Sequence, residues 1–507
     1  MKKKVIIDIG SNSVRLILVR FINGSYKIVN DLKESLRLID GMDENNNIRQ
    51  SYIDATVKTM HMFKALADSV EADEIFAVAT EAIRKAANQK ELIDRIFSET
   101  GIAIRILSGE EEAHYDYVAI RSSLPYDNAL IVDIGGGSTE IIQMVNGEKA
   151  NAASLPFGTI NLTKKFDLTD EITPQKETAI KFFLFEELKR LSWLNRNTAP
   201  RLIGIGGTIR NIGEIDKVSR NYPLLVTHFY EMNASAMQSI HQEITSSALA
   251  GRKQIPGISK GRADIFPGAS YILSLLLEIT GIEKIVISGC GLREGFLFSY
   301  LHDNGTEIVD PLDFSVLNTM KCFDVNMIHA RNVYRLSKQI FSQLSSLHKM
   351  PDALLTPLKL GALLHDCGVN INYYNHHTHS LYMIVNAGIL GVSHRNLLIG
   401  ACVAGGHRKK GRKLNYPRFT QILSPLDIEH IEKMSLILSI AESLDRNMSG
   451  CVDQINCFIC NNEVYISATP LPGKYIGLEV NDALQFRGLF KKIFNKTLKF
   501  NILPEQS

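Results

Sequence analysis

The sequence predicts an α/β protein built from two related halves facing a cleft, followed by a helical region and a small α+β tail. Three observations carry that prediction. The stretch ALIVDIGGGSTEII, residues 129–142, reads as strand, tight turn, strand: an apolar run ends at Asp133, three glycines follow, and the apolar pattern resumes after Glu140. The stretch KVIIDIGSNSVRLILVR, residues 4–20, repeats that layout, with Asp8 matching Asp133, Gly10 matching Gly135 and Ser13 matching Ser138. Beyond Asp310 and Pro311 the strand-like alternation gives way to helical periodicity.

In chain order, the first hairpin is followed by a third strand near Tyr26–Asn30 and a helix with Ile53, Val57, Met60, Phe63 and Leu66 on one face. A strand EIFAVA, a helix from about Glu81, a strand IAIRIL and a helix from Glu110 complete the first half. The second hairpin opens a similar half with later strands at RLIGIGG and KIVISG, so a mixed sheet with helices is expected in each. After residue 310, helices carry His329 on the face of Val333, Leu336 and Ile340, then the adjacent pair His365–Asp366, then His379 and His407. From about Asn447, INCFICNNEVYISATP and GKYIGLEV alternate like strands, and a basic amphipathic LFKKIFNKTLKF follows.

The glycine turns carry the chemistry. Without a Cβ, Gly135, Gly136 and Gly137 can bring backbone N–H groups close to an anion, and Ser138 and Thr139 add hydroxyls. Asp133 and Glu140 flank that nest, and two carboxylates beside a phosphate make sense if a hard divalent cation lies between them. Read alone, the motif is a plain hairpin; repeated, it clamps a phosphate from both sides. Arg84, just inside a helix, is placed to meet a phosphate bidentately. GIGGTIRNIG (204–213) and SGCGLREG (288–295) are further strand-to-helix glycine turns suited to close ligand approach. Glu110, Glu111 and Glu112 share a first helical turn, where acids also serve the helix dipole, so residue pattern alone does not choose among them. Imidazoles with an Asp suit a divalent transition metal, which makes His329, His365, Asp366, His379 and His407 candidate ligands. The run HRKKGRKLNYPR supplies Arg408, Lys409, Lys410, Arg412 and Lys413 as a polyanion patch, or as an ordinary solvated loop.

Composition limits the alternatives. A chain of 507 residues is too long for one core, so three or four domains are expected. A net charge of +2 gives no global attraction to nucleic acid. Seven scattered cysteines fit a reducing, cytoplasmic setting, and Cys457 and Cys460 lack a second ligand pair at zinc spacing and read as a buried strand. MKKKVIIDIG reaches Asp8 after three apolar residues, too few for a signal peptide, and LLLEITGIEKIVISG is broken by Glu278, Glu283 and Lys284, so no membrane span is expected.

The ordered set DIGSNSVRL, ATEAIRKAAN, SGEEEA, VDIGGGSTE, LPFGTINLT, GIGGT, KGRADIFPGA and SGCGLREG resembles the exopolyphosphatase/guanosine pentaphosphate phosphohydrolase (Ppx/GppA) family. The resemblance implies two actin-like (RNase H-like) ATPase-fold domains over 1–124 and 125–310, an all-α HD-type domain over 311–446 and a small α+β domain over 447–507. It implies removal of the terminal phosphate from inorganic polyphosphate, from guanosine pentaphosphate, or from both, with Mg²⁺, in a homodimer. Glu112 matches the catalytic glutamate of SGEEEA. Asp133 and Glu140 match carboxylates of catalysis and metal binding, with Asp8 as a further Mg²⁺ ligand. Ser11, Asn12, Ser13, Arg84, Gly207, Thr208 and Arg262 match phosphate contacts. The helical region resembles metal-dependent HD phosphohydrolases but has Glu442, with Asp445 three residues on, where the completing acid is usually Asp; this leaves open a second metal, a second hydrolytic activity, or a binding module. A kinase of the same superfold is disfavoured by the water-activating SGEEEA, and a sensor of guanosine tetraphosphate or polyphosphate by its having no need of a base.

Overall fold

The computed structural model describes residues 2–408 and 416–503. The chain divides into two compact units, Met1–Pro311 and Leu312–Ser507.

The first unit holds two sheets. One has the order β3-β2-β1-β4-β5, from β1 (Lys2–Ile9), β2 (Val14–Ile22), β3 (Ser25–Glu34), β4 (Glu74–Ala79) and β5 (Ile104–Ile106). The other has β8-β7-β6-β9-β11-β10, from β6 (Ala129–Ile134), β7 (Thr139–Val145), β8 (Glu148–Leu155), β9 (Leu202–Ile205), β10 (Tyr230–Asn233) and β11 (Lys284–Ile287). Superposing β1 on β6 makes the first five strands correspond one for one, with antiparallel hairpins on one side and parallel strands on the other. The duplication legible in two short motifs therefore extends to whole sheets. Central strands are buried on both faces, as in VIIDI (5–9) and ALIVDI (129–134), which is why they read as apolar runs. Each buried Ile or Val contributes roughly 1.5–3 kcal/mol.

Two helices exchange between the halves. Helix α1 (Gly109–Arg121) follows β5 in sequence, yet Ala113 and Ile120 pack with Ile131, Ile142 and Met144 of the second sheet. Helix α2 (Gly206–Ser219) follows β9, and helix α3 (Leu292–Asp303) follows β11; α3 runs beside α1 and against β1. Arg37 ties the halves together, donating to both carboxylate oxygens of Asp264 at 2.6 and 2.9 Å and to the Gly261 carbonyl at 2.6 Å.

In the second unit, helices α4 (Met327–Gln343), α5 (Leu355–Leu364), α6 (His376–Asn386), α7 (His394–Gly406) and α8 (Pro425–Ser443) enclose a core that includes Leu360, Leu364, Ile384, Leu397 and Ala401. A three-stranded sheet, β12 (Val452–Cys460), β13 (Glu463–Pro470) and β14 (Thr497–Ile502), follows. Two expectations change here. GKYIGLEV is not a strand: helix Gly477–Leu484 begins inside it, burying Glu479, Val480 and Ala483 on one face. The CxxC lies on a strand as expected, but at the sheet's edge, with Cys460 exposed.

The α1–α3 crossing is a close backbone approach, since a Cβ on Gly295 would land on the Tyr115 carbonyl. Gly295→Ala is expected to cost about 1–3 kcal/mol in urea unfolding. Gly261→Ala, with nothing within 4 Å of the new methyl, should leave the midpoint unchanged; equal midpoints for the two variants would show that the helices can part at no cost.

Candidate functional site

The two glycine turns meet head-on. In the first, Gly10 N–H donates to the Ser13 carbonyl at 3.1 Å; in the second, Gly135 N–H donates to the Ser138 carbonyl at 3.0 Å. A Cβ on Gly136 would lie 3.0 Å from the Ser11 Cβ and 3.6 Å from the Asn12 nitrogen, so the bends face each other with no room for a side chain. Between them lies a cavity lined by Asp8, Ser11, Asn12, Ser13, Asp133, Gly135, Gly136, Ser138, Glu140 and Glu112, and by Gly207, Thr208 and Arg262 from the later loops. The third loop enters at Gly206, whose φ of +89° favours glycine and on whose Cα face the Asp133 carboxylate rests.

Helix α1 sorts its three glutamates. Glu111 closes a capping box, its carboxylate accepting from the Ser108 N–H at 2.8 Å while the Ser108 hydroxyl accepts from the Glu111 N–H at 3.1 Å. Glu110 is exposed, and Glu112 turns into the cavity and is buried. Burial pushes Glu112 up to about 7; Arg84, ion-paired to it, pulls the other way, and Asp8 and Asp133 add repulsion. Asp133 is pushed to about 6, again chiefly by burial, with Arg210 opposing. Burial also raises Asp8, Asp116 and Glu140, the last two well above the ordinary carboxylate range. Glu140 accepts from the Ser154 hydroxyl at 2.8 Å, while Asp116 Oδ1 is buried without a hydrogen bond.

Cations occupy the same cavity. Arg15, Arg210, Arg262 and Arg293 line it. Arg210 bonds to the Gly206 and Gly289 carbonyls and Arg262 to the Thr208 hydroxyl, all uncharged partners. Burial, then repulsion from Arg15, Arg210 and Arg37, holds Arg262 down to about 10, and burial with Arg210 and Arg293 lowers Arg15. These are groups whose positive charge an anion would stabilise.

Three expected phosphate contacts stand elsewhere. Arg84 does not line the cavity: its guanidinium is held by Glu112, by the Leu107 carbonyl at 2.5 Å and by Glu81 at 2.5 Å. Thr139 is fully buried and donates to the Phe157 carbonyl at 2.7 Å. Gly137 lies behind the turn, where a Cβ would meet Glu81, Ile39 and Ser11. The arginines overlooked in the sequence had a signal: three of the four glycine turns are followed within a few residues by one, Arg15 after Gly10, Arg210 after Gly207 and Arg293 after Gly291.

In the second unit, His329, His365, Asp366 and His407 converge, but His379 takes no part in either metal-capable group; His376 occupies that place. The reason is helix geometry. His376 opens α6 and aims Nε2 at Asp366 Oδ1, 3.2 Å away, whereas His379, one turn on, packs its Cβ beside Gly368. Arg408 is no free polyanion contact, because its guanidinium holds Glu442 at 2.8 and 3.1 Å. Lys409, Lys410, Arg412 and Lys413 lie outside the described residues.

The carboxylates that line the cavity between the turns, Asp8, Glu112, Asp133 and Glu140, offer oxygen ligands alone and are raised by burial, a donor set that fits a hard divalent cation such as Mg²⁺. Among the described residues no helix is long and apolar enough to cross a membrane.

Comparison with known proteins adds the lineage. A solved Ppx/GppA family member from Aquifex aeolicus is 27% identical, with a TM-score of 0.54 over 60% of this chain and 99% of its own. A second Aquifex aeolicus PPX-GPPA enzyme structure is 29% identical, with a TM-score of 0.52 over 59% and 99%. An exopolyphosphatase from Cytophaga hutchinsonii shares the fold at 23% identity, with a TM-score of 0.56 over 61% and 99%. The Ppx/GppA phosphatase family matches residues 3–304 and its domain III residues 313–468. With facing glycine turns, buried acids and an arginine-lined wall all falling inside the longer match, this chain belongs to the Ppx/GppA phosphatase family.

Proposed function

We propose that the cleft hydrolyses the terminal phosphoanhydride of inorganic polyphosphate, releasing orthophosphate. The observation that carries this reading is one cavity lined by buried acids and by Arg210 and Arg262, whose hydrogen bonds go to uncharged partners, which suits a chain end bearing dense negative charge and needing an attacking water. The N–H groups and hydroxyls of the turns, with Arg15 and Arg262, hold the phosphates. Glu112 takes a proton from the water as its oxygen bonds to the terminal phosphorus; the bridging P–O bond breaks and the shortened chain leaves with that oxygen. Arg84 acts through Glu112, favouring its ionised form. Asp8, Asp133 and Glu140 would hold Mg²⁺, which supplies charge neutralisation at the phosphate oxygens.

Polyphosphate is preferred over guanosine pentaphosphate because no aromatic side chain lines the cavity among the described residues, leaving a guanine base nothing to stack on. Turnover of both substrates by the purified protein with Mg²⁺ tests this, and faster release from guanosine pentaphosphate would reverse the assignment.

Glu112→Gln should lower phosphate release by at least ~10²-fold while leaving polyphosphate binding within a few-fold; parallel loss of both would remove its role as base. Arg262→Gln and Arg15→Gln should each raise KM for polyphosphate roughly tenfold, and an unchanged KM would show that the chain end lies elsewhere. The raised Asp133 pKa sets a sign: this acid holds its proton up to about 6, and metal binds the ionised form. Mg²⁺ binding should therefore release protons below about pH 6 and tighten as pH rises from about 5 to 7. Calorimetry in buffers of different ionisation enthalpy reads this directly, and proton-neutral binding at about pH 6 would contradict it.

A further inference from the structure

We infer that the C-terminal unit binds a carboxylate-bridged pair of divalent transition-metal ions, with His329 and His365 on one ion, His376 and His407 on the other, and Asp366 spanning both.

Four helices bring these groups together: α4 supplies His329, the end of α5 His365 and Asp366, the start of α6 His376, and the end of α7 His407. Every histidine has its Nδ1 against an oxygen. His365 Nδ1 faces the Ala362 carbonyl at 2.8 Å, His376 Nδ1 the Tyr373 carbonyl at 2.8 Å, His407 Nδ1 the Ala404 carbonyl at 2.5 Å and His329 Nδ1 the Asp445 carboxylate at 2.8 Å. A backbone carbonyl or carboxylate can only accept, so each Nδ1 carries a proton, and in the neutral ring each Nε2 then presents a lone pair.

All four lone pairs face one carboxylate, two on each oxygen. His365 and His329 Nε2 lie 3.4 and 3.7 Å from Asp366 Oδ2; His376 and His407 Nε2 lie 3.2 and 3.7 Å from Oδ1. Neutral imidazole lone pairs aimed at carboxylate oxygens share no proton, and the cluster is buried: the Nε2 atoms of His329 and His365 and Asp366 Oδ1 have no hydrogen-bond partner. His376 and His407 Nε2 sit 3.2 Å apart with the same conflict. Each such unmet buried group is destabilising, and a cation between the lone pairs removes the conflict at all of them. Within each group, His329–His365–Asp366 and Asp366–His376–His407, the ligand atoms lie within 4.8 Å of one another. Ligands about 2.1 Å from one ion stand roughly 3–4 Å apart, within small side-chain adjustments of what is seen.

The flanking acids divide the same way. Glu442 Oε2 lies 3.6 Å from His407 Nε2, beside the second ion, with its other oxygen held by Arg408. Asp445 stands behind the first, accepting from His329 and from the Gly450 N–H at 2.7 Å, which fixes the ring. Imidazole-rich ligation favours Mn²⁺, Fe²⁺, Co²⁺ or Zn²⁺ over Mg²⁺, so this centre and the all-carboxylate cleft take different ions.

The test is Co²⁺ titration of the chelator-stripped full chain in excess Mg²⁺, which occupies the cleft, with bound cobalt counted by elemental analysis and followed by its visible spectrum. Two Co²⁺ per chain are expected. Asp133→Asn in the cleft should still bind two, His376→Gln should bind one, and Asp366→Asn should weaken both by more than tenfold. His376 begins its helix, so its variant remains informative if Asp366→Asn misfolds by circular dichroism. One ion or none in the parent chain, or two retained in His376→Gln, would overturn the bridged pair.

Discussion

The contact on which the first unit depends is the approach of one main-chain bend to another. Gly136 stands against Ser11 and Asn12 at distances that exclude any side chain, and Gly158 sits so that a Cβ would lie 2.5 Å from the Gly135 carbonyl. With backbone this close on both sides, an anion between the bends meets N–H groups and hydroxyls already in place, and water is displaced before chemistry begins. The Arg37–Asp264 pair and the α1–α3 crossing hold the halves at that spacing.

Duplication followed by one change at a matched position gives the cleft its two signs. In the first hairpin Asp8 pairs across the strands with Arg15; in the second, Asp133 pairs with Glu140. One bend thus contributes a cation beside its acid and the other two acids.

The strands, the hairpin repeat and the helical turnover after residue 310 were legible because apolar periodicity and glycine placement are local signals. So was the family, from ordered motifs. What the sequence hid was set by tertiary contacts. Arg84 read as a phosphate ligand because nothing local reveals that Glu81 and Glu112 surround it. His376 and His379 are one helical turn apart and of the same type, and only the packing around Gly368 decides which reaches Asp366. GKYIGLEV alternates like a strand, yet its apolar residues also fit the buried stripe of a short helix. Among Glu110, Glu111 and Glu112 the family motif already singles out the third, and the structure adds that Ser108 claims Glu111.

The helix bearing Glu112 leaves the first sheet and lays its apolar side on the second, while α3 leaves the second and returns to β1. Each half therefore completes its neighbour's interior, as two interlocked hands do. A cut after residue 124 would strip the second sheet of its cover and carry Glu112 away from the acids of the second hairpin. Evolution could copy the ancestral half, but it could no longer separate the copies.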